Sequence, residues 1–156
     1  MKVRDIMTQP AVTCTPEATV AIVGHLMEDQ GCGILPVVDL RRRLLGVVTD
    51  RDLLLALAST DRNASQVTIQ EAMRRTVTTC GEDDDVRVAL DAMRRAAVRR
   101  LPVVDRDGHA IGILSIDDVV RWGVAPDGVR AANVIAALEH ICERRAMKQN
   151  IDITVA

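Results

Sequence analysis

The sequence predicts an α+β protein built from two copies of a strand–helix–strand–strand–helix unit, followed by a helical tail. Three observations carry this. The string Gly46-Val47-Val48-Thr49-Asp50-Arg51-Asp52 returns 66 residues later as Gly112-Ile113-Leu114-Ser115-Ile116-Asp117-Asp118. At the same interval Leu35-Pro36-Val37-Val38-Asp39 returns letter for letter as Leu101-Pro102-Val103-Val104-Asp105. The helical face Val20, Val23, Gly24, Met27 is answered by Val86, Ala89, Leu90, Met93, a spacing that fits one side of a 3.6-residue period. One copy of about 50 residues buries too little apolar surface to fold alone, whereas two can pack sheet against sheet. The expected product is one body with pseudo-two-fold symmetry and two equivalent clefts.

The elements follow in order. Val3 to Met7 reads as one apolar helical turn before Pro10, and Val12-Thr13-Cys14 as a strand stopped by Pro16. Thr19 suits the N-cap of a first helix and Gly31 its end. Ile34 to Asp39 and Leu44 to Val48 form a hairpin around the polar tip Arg41-Arg42-Arg43, with the proline near a strand end. That tip reads as a solvated turn, with anion steering as its alternative. A helix over Asp50 to Ala58 closes the copy. The second copy repeats the series, with Asp85 in the capping place of Thr19 and ordinary turn chemistry at Asp105-Arg106-Asp107-Gly108. The preceding acidic run, Glu82 to Asp85, reads as favourable negative charge before a helix. The domain organisation expected is a first repeat over 1–58, a polar linker over 59–71, a second repeat over 72–123 and a tail over 124–156. In the tail, Val129 to Met147 reads as a helix with an apolar stripe of Val134, Ile135, Leu138, Ile141 and Cys142, and Ile151 to Val155 alternates like a strand.

Composition narrows the function. Twenty basic and 22 acidic residues leave a net charge of −2, so no overall field points to nucleic acid or an anionic membrane. Trp122 is the one aromatic residue, which removes the stacking platforms of single-strand binders. No apolar run approaches the roughly 18 residues of a membrane span, and the first residues lack a signal-peptide pattern, so the cytoplasm is the expected compartment. Cys14, Cys32, Cys80 and Cys142 show no metal-binding spacing and read as small buried hydrophobes. His25, His109 and His140 belong to no catalytic motif. No enzyme and no metal are expected.

Each Gly-x-x-[Thr/Ser]-x-x-Asp string has two readings. A hydroxyl residue with a carboxylate three positions on is a capping box; the same carboxylate is a double acceptor for a cis-diol, beside helix amides that attract an anion. Two such strings in register behind two LPVVD strands resemble the tandem form of the cystathionine β-synthase domain, over roughly residues 1 to 122. The resemblance implies a non-catalytic module that takes adenosyl compounds (AMP, ADP, ATP, NAD or S-adenosylmethionine) in the clefts between the repeats. Carried over residue by residue, Asp52 and Asp118 would meet the ribose hydroxyls, with Thr49 and Ser115 near ribose or phosphate. Ile34, Leu35 and Pro36, and Arg100, Leu101 and Pro102, would hold the adenine, helped by Thr13 and Thr79.

A stand-alone sensor acting through its own assembly or a protein partner is the leading expectation. The alternative is a structural or interaction module with empty clefts, whose tail helix docks a partner. A homodimer is expected from the apolar helix faces, which exceed what one pair of repeats covers. The two clefts are expected to differ. Arg51 offers phosphate a guanidinium fork in the first, where the second has Asp117, with Arg99 and Arg100 restoring positive charge from another wall. The Asp52 cleft is thus expected to prefer the more phosphorylated ligand.

Overall fold

The computed structural model describes residues 1–124, 126 and 128–149, with the side chains of the last helix described as far as Glu143. The elements are helix α1 (Val20–Asp29), strands β1 (Ile34–Val38) and β2 (Leu44–Thr49), helices α2 (Asp50–Ala58) and α3 (Ile69–Ala72), strand β3 (Cys80–Gly81), helix α4 (Val86–Ala96), strands β4 (Arg100–Val104) and β5 (Ala110–Ser115), and helices α5 (Ile116–Asp118) and α6 (Ala131–Gln149). A 3-10 turn, Val3–Asp5, precedes them, and a π-helical turn, Val119–Gly123, extends α5. The α+β repeat read from the sequence is present twice, with its helical tail. β1 and β2 form an antiparallel pair, while β3, β4 and β5 are hydrogen-bonded in that order.

The chain divides into two compact units, and neither follows a single copy of the repeat. One holds residues 9–77 and 104–112; the other holds 1–8, 78–103 and 113 onward. Backbone pairing explains the exchange. Lys2 pairs with Asp85 and Thr8 with Ile113, so the leading segment of the first copy lies on elements of the second. Reciprocally, Thr68 pairs with Thr19 and Arg74 with Val47. Every one of these partners is offset by 66 residues from its counterpart. Segment 59–71, expected as a polar linker, accordingly contains Val67 and Ile69, which are fully enclosed in the core formed with Val20, Val23, Met27, Leu35, Val37, Val48 and Leu53.

The core of the other unit draws on Val3, Val86, Ala89, Leu90, Met93, Leu101, Leu114 and Val119. The tail helix packs on α4 and the π-helical turn. It buries Val134, Ala137 and Ile141, with Val129 enclosed just before it, whereas Ile135 and Cys142 are exposed. The expected stripe is therefore rotated: Ala137, small enough to sit close against a neighbouring helix, takes the inner position in place of Ile135. Cys14 and Cys80 are buried as expected, but Cys142 is not. Val12-Thr13-Cys14 contributes one parallel bridge, from Cys14 to Val37, and Pro16 lacks the N–H to continue it. Residues 151–155, read as strand-like, lie outside the described residues.

The two first helices end differently. Gly31 follows α1 at φ +59°, the left-handed conformation that closes a helix, and Ala97 takes the same place after α4 at φ +54°. Alanine pays about 1 kcal/mol there for its Cβ. Ala97→Gly is expected to raise the unfolding free energy by up to about that amount, read as a higher urea midpoint with an unchanged slope. An unchanged or lower midpoint contradicts the account of this cap.

Candidate functional site

The register of β1 on β2 builds the first junction. Ile34 lies opposite Thr49, Leu35 opposite Val48 and Pro36 opposite Val47, so the residues expected around adenine share one strand end with the hydroxyl that caps α2. Ile34 is half-buried at that end, while Leu35 and Pro36 are buried. In the second copy Arg100 is exposed, and Leu101 and Pro102 are buried. Thr13 and Thr79 are half-buried, each one residue before the cysteine that joins its sheet or bridge.

Both junctions realise the capping box. Asp52 Oδ2 accepts from the Thr49 amide at 3.1 Å and from its hydroxyl at 2.7 Å, while the Asp52 amide donates to Thr49 Oγ1 at 3.2 Å. Asp118 Oδ2 accepts from the Ser115 amide at 2.8 Å and hydroxyl at 2.5 Å, and the Asp118 amide donates to Ser115 Oγ at 3.1 Å. One oxygen of each carboxylate is thereby committed to local structure.

The second oxygens differ. Asp52 is 6% exposed, and its Oδ1 accepts from Arg74 Nε at 2.8 Å and Nη2 at 2.7 Å. Asp118 is half-buried and its Oδ1 has no partner among the described residues. Arg74 was not singled out by the sequence reading, yet its position was legible: it stands 66 residues after Thr8, where the repeat changes from a hydroxyl to a guanidinium. Asp50 was missed as well. Gly33 makes room for it, since a Cβ on residue 33 would stand 2.9 Å from Asp50 Oδ2. The Asp50 amide reaches the Gly33 carbonyl at 3.4 Å, as the Ile116 amide reaches that of Arg99 at 2.9 Å.

Around the first junction Arg51 is exposed, its amide donating to Asp50 Oδ1 at 2.7 Å. Around the second, Arg100 Nη2 lies 4.0 Å from Asp117 Oδ2, and Arg99 Nη2 lies 3.6 Å from Cys142 Sγ. Burial pushes the thiols of Cys14 and Cys80 up to about 12, which suits packing and not nucleophilic chemistry. Asp105, Asp107 and His109 bring candidate metal-ligand atoms within 4.8 Å of one another. The Asp105 carboxylate is already engaged there, accepting from the amides of Asp107 and His109 and meeting His109 Nδ1 at 2.8 Å. A groove of about 230 Å³ between α4 and α6, lined by Leu90, Asp91, Arg94 and Asn133 among others, includes none of the expected site residues. No helix among the described residues is long and apolar enough to cross a membrane.

Two hairpins, each delivering a capped carboxylate at a 66-residue interval, define a tandem-repeat α+β module. The chain belongs to the CBS domain family, whose profile matches residues 3–59 and again 68–125. It is 29% identical over 121 residues to protein MK0525 of Methanopyrus kandleri, a match that covers 78% of this chain and 62% of that relative's length. Among solved structures it is similar to the CBS domain pair of protein MJ0100 in complex with 5′-methylthioadenosine and S-adenosyl-L-methionine. That likeness has a TM-score of 0.70 at 29% identity and covers 78% of this chain and 94% of the other. It is also similar to CBSX2 of Arabidopsis thaliana in complex with AMP, with a TM-score of 0.67 at 29% identity, covering 77% and 93%.

Arg74 is carried into place by α3, whose own start is a capping box. Glu71 Oε1 accepts from the Thr68 amide and hydroxyl, both at 3.0 Å, and the carboxylate pairs with Arg62. The Arg62 hydrogen bond, then those from Thr68, hold the Glu71 carboxyl down to about 2 from its ordinary 4.5. A carboxyl lowered on folding stabilises fully above its unfolded value and loses that contribution as pH falls through its folded value. Glu71→Gln is therefore expected to lose less stability than the parent between pH 4.5 and pH 2 in denaturant titrations. Identical pH profiles contradict the assignment.

Proposed function

We propose that the chain is a regulatory module without catalysis, which takes an adenosyl ligand at each hairpin–helix junction and signals through its own assembly or a protein target. The observation that carries this reading is the duplicated carboxylate, Asp52 and Asp118, fixed by the same local bonds beside a strand end suited to a base. Relatives solved with AMP, S-adenosyl-L-methionine and 5′-methylthioadenosine support the ligand class. ADP, ATP and NAD share the adenosyl group and belong to it. The Asp118 oxygen that has no partner among the described residues is the acceptor proposed for a ribose diol, and exposed Arg51 is the phosphate partner proposed at the first junction. A cytoplasmic site of action belongs to the same proposal.

One observation favours the second reading, a purely structural module: every oxygen of the Asp52 carboxylate is satisfied by the protein itself. The tail does less for that reading, because the apolar side of α6 is already spent on α4 within the chain. A homodimer is the assembly we propose. Ile22 on α1 and Leu54 on α2 are 61% and 66% exposed, and their counterparts 66 residues on, Val88 and Val120, are 56% and 53% exposed. Apolar side chains left open at equivalent places in both copies fit an interface with a second copy of the chain.

Two measurements follow. A ligand specific to the folded state, at a hundredfold excess over its Kd, adds about 2.7 kcal/mol, a rise in melting temperature of roughly 5–10 °C for a chain of this size. AMP or S-adenosylmethionine is expected to produce such a rise in the parent, and Asp118→Ala to weaken binding by about 1–3 kcal/mol as the ribose contact is lost. No shift with any adenosyl compound leaves the structural module standing. Light scattering is expected to give twice the 17.0 kDa chain mass; a single-chain mass at tens of micromolar contradicts the dimer.

A further inference from the structure

We propose that Arg74 is a specificity-determining residue, which closes the Asp52 site to uncharged adenosyl compounds and opens it to phosphorylated ones, while the Asp118 site accepts both. This rests on the adenosyl-ligand reading above and adds a rule for which ligand goes where.

The geometry is a latch with a fixed base and a movable end. At its base, the Arg74 amide donates to the Val47 carbonyl at 2.8 Å and the Val47 amide donates to the Arg74 carbonyl at 3.0 Å. Gly46 is what allows this approach, since a Cβ there would stand 2.5 Å from the Arg74 carbonyl oxygen. At its end, two guanidinium nitrogens hold Asp52 Oδ1, yet the Arg74 side chain is 61% exposed, so the carboxylate is buried and its cation is not. A diol that seeks Asp52 Oδ1 must displace a charge-assisted pair with two neutral hydroxyls, which is unfavourable. A phosphate changes the balance. It offers the same guanidinium a more highly charged partner with two oxygens for its fork, so Arg74 can transfer from carboxylate to phosphate and release Oδ1 to the ribose.

The second site lacks the latch. Thr8 stands where the repeat puts Arg74 and is held to β5 in the same manner, its amide donating to the Ile113 carbonyl at 2.9 Å and its carbonyl accepting from the Ile113 amide at 3.0 Å. It carries no charge, and Asp118 Oδ1 has no partner among the described residues. A neutral adenosyl compound therefore meets an open carboxylate at Asp118 and an occupied one at Asp52.

Titration calorimetry of the full chain with adenosine and with AMP tests this. The parent is expected to take AMP at two sites per chain and adenosine at one. Arg74→Thr, which copies the second site, is expected to bring adenosine to two sites and to weaken AMP at one of them by roughly ten- to hundredfold. Thr8→Arg is expected to abolish adenosine binding while sparing AMP. Should Arg74→Thr fail to fold, Asp118→Ala in an otherwise intact chain decides the matter: it is expected to lose adenosine and to keep one AMP. Adenosine filling both parental sites alike, or Asp118→Ala binding adenosine as tightly as the parent, would overturn the latch and leave the adenosyl-ligand reading intact. A parent that binds neither compound overturns that reading, and the latch with it.

Discussion

The backbone pairing of each leading segment with the strand that enters a capped helix is the constraint on which the rest depends. Arg74 on Val47 and Thr8 on Ile113 are the same bond pattern at two addresses. At the first address the residue one earlier on the strand is Gly46, which meets the Arg74 carbonyl so closely that no Cβ fits. Because each leading segment is traded to the other copy's elements, a residue chosen in one copy acts at the junction of the other. The duplication therefore does more than double a small core. It places residue 74 next to the carboxylate at 52, and that contact distinguishes the two junctions.

Each junction balances its charges in a different way. Beside Thr49 stand Asp50, Arg51 and the Asp52–Arg74 pair; beside Ser115 stand Asp117, Asp118, Arg99 and Arg100. Arg51 alone is thus an incomplete account of the phosphate preference proposed for this junction, because Asp50 offsets it and Arg74 adds a second guanidinium. Burial decides which of these charges matters most. Exposed Arg51 and Asp117 are screened by solvent, whereas Asp52 is enclosed, so its pairing is felt more strongly.

Much of this was legible in the sequence. The exact 66-residue interval carried the repeat, helix α2 runs over Asp50–Ala58 as its N-cap and apolar pattern predict, and the hairpin fell between Ile34 and Thr49. Three things were not legible, each for a physical reason. Val67 and Ile69 looked like islands in a polar linker, because their burial comes from the exchanged pairing and not from local periodicity. The inner face of α6 was misjudged because Ala137 is chosen for close approach to α4, which a hydrophobicity pattern does not report. The Asp52–Arg74 pair spans 22 residues. Local spacing left Asp52 undecided between capping and binding; the structure has it capping α2 and pairing with Arg74 together, and leaves one Asp118 oxygen without a partner among the described residues.

The central claim is that ligand binds at the two hairpin–helix junctions. Hydrogen–deuterium exchange of the unmodified chain with and without AMP tests it without any substitution. The account predicts slower exchange in peptides covering residues 46–53 and 112–119, the amides that begin α2 and α5. Bound AMP that leaves both segments unchanged, with protection confined to other parts of the chain, would contradict it.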